Sequence, residues 1–484
     1  MHAMRPRHAG RVLAGWLATA AAVAAPATAP PDGAWFEQVK SGATPTQLYT
    51  FLYALPKGGD LHNHLPGGDR TEWLLQSVLS QADRGYVYYT RVRIDNCAAY
   101  GHDEFGGDKA LLLFKNIQES RWRTLTACQQ GEFRRLQDLD AREKAAWLDS
   151  QRLESSWEGR DEFFNAHFDR VNDLLLNPWV IRDILLTNMQ AFAREGVVYL
   201  ELMQFVDRMV YPDGSPMAAD EVVKILRDLL ASPEARATGV TLRFQDTVLR
   251  FAPDAEELVR RSYAIVDRYR DLYVGLNLVG REDNDKGYPL RFLPVMREMR
   301  HKYPEVHLSI HAGEVDEPNR HVRDTLLLGA ERIGHGVNLI TDPDTMRLMR
   351  NGPYLVEINL VSNLLLEYVS DYSQHPFGEY LRTGIPVALS TDDRGMWDSN
   401  LTDEYYVAVK EFNLSWNELV QLGRNSLAYS FLDAATKAQL LADYERRVAA
   451  FAEGFRKEGW AALRNTRPET YGFICRRYRV CITR

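Results

Sequence analysis

A chain of 484 residues has room for roughly three domains at about 150 residues each. Its composition, 45% hydrophobic, 26% charged and 11% aromatic, excludes a disordered or low-complexity architecture. With 58 basic against 66 acidic residues the net charge is −8, and no Lys/Arg stripe stands out, which argues against a nucleic-acid-binding surface.

From the amino terminus, a basic stretch from Met1 to Arg11 precedes an apolar, Ala-rich run from Val12 to Ala25. This is the pattern of a secretory signal peptide. Small-x-small sites follow at Ala22-Val23-Ala24 and Ala27-Thr28-Ala29, and cleavage is expected after Ala24. That predicts a signal peptide over 1–24, an N-terminal segment over 25–56, and an exported mature chain, periplasmic or secreted. An amino-terminal anchor helix is the alternative, although the run is shorter than the roughly 20 residues that cross a bilayer. No other stretch qualifies as a span.

Eight apolar runs are predicted strands: Gly58–His62, Val197–Leu202, Thr241–Phe244, Tyr273–Leu278, Val306–His311, Arg332–His335, Tyr354–Asn359 and Pro386–Ser390. Between most of them lie segments with apolar residues at i, i+3, i+4, such as Val222–Leu230 and Leu258–Tyr269. Strands alternating with helices predict an α/β fold with a parallel sheet. Eight such units predict a (β/α)8 TIM-type barrel over 57–459, with an open doubly wound sheet as the alternative. The absence of Gly-x-Gly-x-x-Gly after a strand weakens that alternative.

The long gap after the first strand predicts an insertion over 88–156, carrying Cys97, Cys128, a Gly106-Gly107 turn and a charged helical pattern from Arg134 to Arg152. Its charges read as a solvated face, with a lid or dimer contact as the alternative. The barrel helix is expected to resume over 161–195. After Asp403 the pattern is helical to about Gly459, a C-terminal extension followed by a tail over 460–484. The cysteines are Cys97, Cys128, Cys475 and Cys481, with no Cys-x-x-Cys pair. Export favours disulfides over metal thiolates. Of three pairings the sequence-local one, Cys97–Cys128 with Cys475–Cys481, is expected; free buried thiols are the alternative.

Polar residues collect at the carboxyl ends of these strands. The first ends Asp60-Leu61-His62-Asn63-His64, and in an extended chain residues i and i+2 share a face, so both imidazoles project into the barrel mouth. The fifth ends His311-Ala312-Gly313-Glu314, the sixth Gly334-His335-Gly336, the eighth Ser390-Thr391-Asp392-Asp393. That rim holds the active site in characterised barrels of this type. Imidazole with carboxylate suits Zn²⁺ or a similar ion: His62, His64, His311 and Asp392 are the expected ligands, with one position left for water. His335 and Asp392 are placed to orient or deprotonate that water, and Glu314 to serve as general acid.

Taken together, Pro56-Lys-Gly-Gly-Asp-Leu-His62-Asn-His64, Leu278-Val-Gly280-Arg-Glu-Asp283, His311-Ala-Gly-Glu314, Arg332-Ile-Gly-His335-Gly336, Ser362-Asn363, His375-Pro376 and Ser390-Thr-Asp392-Asp393 resemble the adenosine deaminase family of the metal-dependent amidohydrolase superfamily. The likeness is in particular to its secreted branch, the adenosine deaminase-related growth factors. The resemblance implies one zinc ion per chain held by His62, His64, His311 and Asp392. Glu314 would protonate purine N1 as metal-bound hydroxide attacks C6, His335 would position the water, Gly280 would donate its backbone N–H to N3, and Asp393 would partner N7. The substrate implied is a small purine nucleoside, adenosine and 2′-deoxyadenosine, with inosine-type product and ammonia released. It also implies an internal disulfide in the insertion and a homodimer.

Two departures stand out. Leu65-Pro66-Gly67 replaces a Leu-Asp-Gly whose Asp contacts ribose, so ribose recognition must differ. Arg281 and Arg394 flank purine-contacting positions and are read either as phosphate binders or as exposed or ion-paired with Glu282 or Asp283. Other readings stay open: another barrel amidohydrolase, an AMP or adenine deaminase, or a non-catalytic growth-factor-like binder. The fourth strand carries no Lys to bridge two metals. The zinc-deaminase Pro-Cys-x-x-Cys signature and Gly-x-Ser-x-Gly are both missing from the sequence.

Overall fold

Each apolar run becomes a parallel strand: β1 Gly58–His64, β2 Val197–Met203, β3 Thr241–Leu249, β4 Tyr273–Val279, β5 His307–Ala312, β6 Arg332–His335, β7 Leu355–Ile358 and β8 Val387–Leu389. The computed structural model describes residues 33–97, 111–154 and 158–482; the expected signal peptide and the Gly106-Gly107 turn lie outside the described residues. Strands pair in chain order, each parallel to the next. β2 is buried along its whole length, as befits a strand covered on one face by helices and on the other by the barrel interior.

Closure comes at the carboxyl ends. Asn63 and Asp392 form an isolated parallel bridge, with Asp392 N donating to His62 O at 2.9 Å and His64 N donating to Asp392 O at 3.2 Å. The sheet is therefore a nearly closed barrel rather than an open one, and its closing contact lies within the cluster of predicted site residues.

Helices cover the outside by the expected periodicity. Ala219–Leu230 buries Val222, Val223, Ile225, Leu226 and Leu229, a single apolar face. One element differs from expectation: the segment read as a helix over 161–195 is a long helix only over Pro178–Arg194. Asn177 accepts from the N–H groups of Trp179 and Val180 and stands before Pro178. A residue before proline is pushed out of the α region while Asn and Pro favour a helix start, so the helix begins there. Upstream the chain runs through short turns, among them a π-helical turn at Phe163–His167, that fold over the barrel mouth.

The insertion builds its own three-stranded antiparallel sheet, with Tyr88–Arg91 between Asn116–Gln118 and Phe133–Arg135. Cys97–Cys128 closes one end, Tyr89 stacks on Trp122 at 4.3 Å, and buried Trp147 donates Nε1–H to Asn116 Oδ1 at 2.9 Å. The C-terminal extension comprises Leu401–Phe412, Trp416–Ala428, Ala434–Glu458 and the short Gly472–Tyr478, with Cys475 bonded to Cys481. The tail is tied to the loop after β8: Gly472 N donates to Asp398 Oδ2 and Phe473 N to Asp398 O, both at 3.0 Å. Among the described residues no helix is long and apolar enough to cross a membrane.

Candidate active site

His62 and His64 alternate along the end of β1 and both reach the rim. His62 is fully buried, its Nδ1 2.8 Å from Glu357 Oε2 on β7. That contact takes the Nδ1 proton, leaving an Nε2 lone pair with no hydrogen-bond partner and 3.6 Å from Asp392 Oδ1. His311, at the end of β5, is held in the same way: Nδ1 lies 2.8 Å from Asn277 Oδ1, and Asn277 is oriented by donating to Gln245 Oε1 at 3.2 Å. Anchoring one imidazole nitrogen so the other faces inward is how metal-ligating histidines are prepared.

His64 Nε2 sits 3.1 Å from His311 Nε2 and 3.3 Å from Asp392 Oδ1. The Nε2 atoms of His62 and His64 thus flank Asp392 Oδ1, with His311 Nε2 beside that of His64, an arrangement that a cation among them would stabilise. The local field agrees. Burial opposes a charge on His62, yet the Asp392 and Glu357 carboxylates outweigh it and push the imidazole up to about 10. The donor set fits a borderline divalent ion such as zinc. Potential ligand atoms of His62, His311, His335 and Asp392 lie within 4.8 Å of one another, as do those of His64, Asp392 and Asp393, so geometry alone admits more donors than a zinc ion takes.

Backbone conformation aims several of these groups. His335 and Asp392 adopt φ of 67° and 55°, the left-handed region that costs a non-glycine residue about 1–2 kcal/mol and that clusters at functional sites. Gly334 permits close packing: a Cβ there would lie 2.6 Å from His62 Cε1. Gly67, in the segment that departs from the family pattern, is likewise required, since a Cβ would fall 1.7 Å from Asp393 Oδ1.

Glu314 is buried beside His335, its Oε1 3.5 Å from His335 Nε2. Burial first, then the negative charges of Asp392 and Glu282, lifts its carboxyl well above the ordinary value, so it is held as a neutral acid. Glu282 accepts from the backbone N–H groups of Gly313 and Glu314 at 3.0 and 2.9 Å and from His321 Nδ1 at 2.7 Å, which locks the turn carrying Glu314. Asp393 is also raised, by burial and then by Asp392.

His64, Gly280, His311, Glu314, Asp392 and Asp393 line one cavity of about 670 Å³, with Pro66, Phe163, Phe164, Phe168 and Phe251 among its walls. His62 and His335 lie beneath, fully buried. The ligand, acid and substrate-contacting residues expected from the sequence therefore gather at the carboxyl end of the barrel, His62 and His335 beneath the cavity and the others on its wall. Sequence reasoning missed Glu357, Asn277 and the aromatic wall from Phe163 to Phe168, and it named Glu282 only as an ion partner for the arginines, whereas Glu282 holds the Glu314 turn. The arginines separate: Arg281 is shared by Asp283 and Asp161 at 2.5 Å each, while Arg394 turns away from the cavity to Glu195 Oε1 at 3.3 Å and Asn188 Oδ1 at 2.5 Å.

The adenosine deaminase family profile matches residues 129–446, a stretch that includes His311, Glu314, His335 and Asp392 and begins after His62 and His64. A Dictyostelium discoideum protein named adenosine deaminase 2 is 26% identical over 409 residues, 79% of this chain and 70% of that protein. A pig protein of the same name is 24% identical over 436 residues, covering 86% and 83%. Among solved structures, a Burkholderia ambifaria amidohydrolase with bound zinc superposes with a TM-score of 0.60 at 18% identity, covering 86% of this chain and 96% of that one. An Arabidopsis protein complexed with IMP gives 0.59 at 21%, covering 83% and 99%. These superpositions concern the fold.

Proposed function

The chain belongs to the adenosine deaminase family, and from that premise we propose that it hydrolyses the 6-amino group of adenosine, and of 2′-deoxyadenosine, to the 6-oxo product and ammonia, with one zinc ion per chain. The observation that carries this reading is a buried, neutral Glu314 facing a cavity floored by inward-aimed imidazoles and Asp392. His62, His64, His311 and Asp392 would hold the ion. When bound, it would supply an acidified water near neutral pH.

The chain's own groups do the rest. Glu314 gives its proton to N1, which makes C6 electrophilic. Water adds at C6, and the C6–N bond breaks as the amine takes up a proton and leaves as ammonia. The second water proton restores Glu314. The Gly280 N–H is the donor for N3. Asp393, neutral through burial and its anionic neighbour, carries the O–H that N7, an acceptor, requires. His335 orients the attacking oxygen. The Phe163–Phe168 wall excludes water and stacks against the base.

A nucleoside is favoured over a nucleotide. The cleft beside the cavity, about 1000 Å³, is lined by Glu158, Asp161, Asp283, Asp285, Asp316, Glu317 and Glu367. Its arginines are already paired, Arg281 with Asp283 and Asp161 and Arg160 with Asp316, and Arg394 is directed elsewhere, so a dianionic phosphate would meet a negative field. Two disulfides and the signal-like amino terminus support export of the mature chain. The test is an absorbance assay with adenosine, 2′-deoxyadenosine, adenine and AMP side by side. Preference for AMP would overturn the nucleoside assignment, and inactivity on all four would favour another amidohydrolase reaction or a binding role.

A further inference from the structure

Behind His335 runs a chain of three polar groups, each of which dictates the next. Phe377 N–H donates to His375 Nδ1 at 3.1 Å. Burial pushes His375 down to about 3, so the ring is neutral and its single proton must sit on Nε2. That N–H meets Asn363 Oδ1 at 3.0 Å, which fixes the Asn363 amide with its Nδ2 toward His335 Nδ1, 2.9 Å away. A nitrogen that accepts this hydrogen bond carries no proton. His335 is fully buried, and with Nδ1 accepting from Asn363 the ring proton lies on Nε2, the atom facing Glu314 and the cavity.

Asn359 is the other amide beside the ring. It stands 3.3 and 3.5 Å from the two ring nitrogens of His335, farther than Asn363. Turned to donate to Ser390 O and Ile358 O at 3.2 and 3.3 Å, it brings its oxygen 3.3 Å from His335 Nδ1, a longer contact to that nitrogen than the 2.9 Å from Asn363 Nδ2, and the Asn363 contact is the one taken to set the tautomer.

We propose that Asn363 and His375 are positioning residues that fix His335 as its Nε2–H tautomer, so that it enters the active site as a hydrogen-bond donor and not as a metal ligand. This resolves the surplus of donors: His335 has no lone pair to offer, and His62, His64, His311 and Asp392 remain. It also divides the work around the attacking water. His335 donates to the oxygen, and Asp392 is left as the group beside it that can accept a proton. The catalytic consequence rests on the deaminase reading; the tautomer itself does not.

The experiment has two arms. Long-range ¹H–¹⁵N spectra of histidine-labelled protein, with His335 assigned from the His335→Ala spectrum, are expected to show a protonated Nε2 and a bare Nδ1; a protonated Nδ1 would overturn the proposal. In the kinetic arm, Asn363→Asp keeps the size of the side chain but replaces a donor with an acceptor, and draws the His335 proton to Nδ1. Its kcat is expected to fall about 10²-fold or more, with zinc content unchanged and KM moved by less than about threefold. His375→Gln, which restores an N–H toward Asn363 Oδ1, is expected to recover most of the activity lost in His375→Leu. Wild-type kcat in Asn363→Asp would refute the relay. A wild-type protein inactive on every purine would refute the deaminase reading and leave the spectroscopic arm standing.

Discussion

Glu314→Gln isolates one proton. Glutamine keeps the volume of the side chain, so the cavity and the turn held by Glu282 persist, and only the acidic O–H is lost. Burial, Asp392 and Glu282 together raise the carboxyl well above its ordinary 4.5, so near neutral pH it is the donor the reaction needs. A positioned general acid contributes about 10²–10⁴ in rate, or ~2.7–5.4 kcal/mol at 1.36 kcal/mol per decade. The variant is therefore expected to lose at least about 10²-fold in kcat with KM and zinc content preserved, read from the absorbance change as amine becomes carbonyl. The same substitution makes a second, opposite prediction for stability. Because the folded value lies above the unfolded one, the native metal-free protein holds more protons than the unfolded chain at pH above 4.5, and wild-type stability falls as pH rises through that window. Glutamine removes this penalty. Metal-free Glu314→Gln should melt above wild type at mildly alkaline pH and level with it in acid. Near wild-type turnover would refute the assignment of the acid, and a variant less stable than wild type at alkaline pH would refute the reading of its environment.

Purified protein is expected to contain one zinc per chain by elemental analysis, to lose turnover on chelation and to regain it with added zinc; full activity in the stripped protein would exclude the metal role. Gly334→Ala places a methyl 2.6 Å from His62 Cε1 and 3.3 Å from His311 Cα. Overpacking of this kind costs about 1–3 kcal/mol, and zinc affinity, measured by competition with a chromophoric chelator, should fall by about tenfold or more. Replacing Cys97 and Cys128 by serine opens a loop with a sequence separation of 31, worth about 3–4 kcal/mol of chain entropy. Thermal stability of the insertion should drop while kcat holds, because neither cysteine lines the cavity.

What was legible in the sequence follows from local rules, and what was hidden depends on register. The His62/His64 pair and the strand-end motifs could be read because alternation along a strand and the barrel topology place such residues on one rim without further information. The direction of Arg394 was not readable in this way: consecutive Asp392 and Asp393 both line the cavity, so strand alternation has ended there. Nor was the Phe163–Phe168 wall, because the insertion separates it from β1 by some hundred residues and no local pattern marks a mouth-covering turn. Glu357 is the instructive case. It interrupts the apolar run Leu355–Ile358, as Glu201 interrupts β2, and Arg332 begins β6 fully buried. Charges in such places must be paired, but a sequence does not say with what.

The fold answers with one network. Arg332 Nε lies 2.6 Å from Glu357 Oε1, its other face pairs with Glu201, and its guanidinium stacks 3.7 Å over Phe431. A buried pair of this kind is weak evidence for stability, because desolvation offsets the attraction. Its value lies at the site. Burial alone would raise Glu357, yet Arg332 and His62 hold it below its ordinary value. It therefore remains a carboxylate that takes the His62 Nδ1 proton and turns the Nε2 lone pair to the metal position. On this reasoning Arg332→Met, similar in length and apolar, would leave Glu357 inclined to protonate, and a protonated Glu357 holds His62 less firmly. Zinc affinity should then fall even though Arg332 touches neither metal nor substrate, and Glu357→Gln in the same background should weaken it no further. Additive losses in that double variant would show that Arg332 acts on the site by some route other than Glu357.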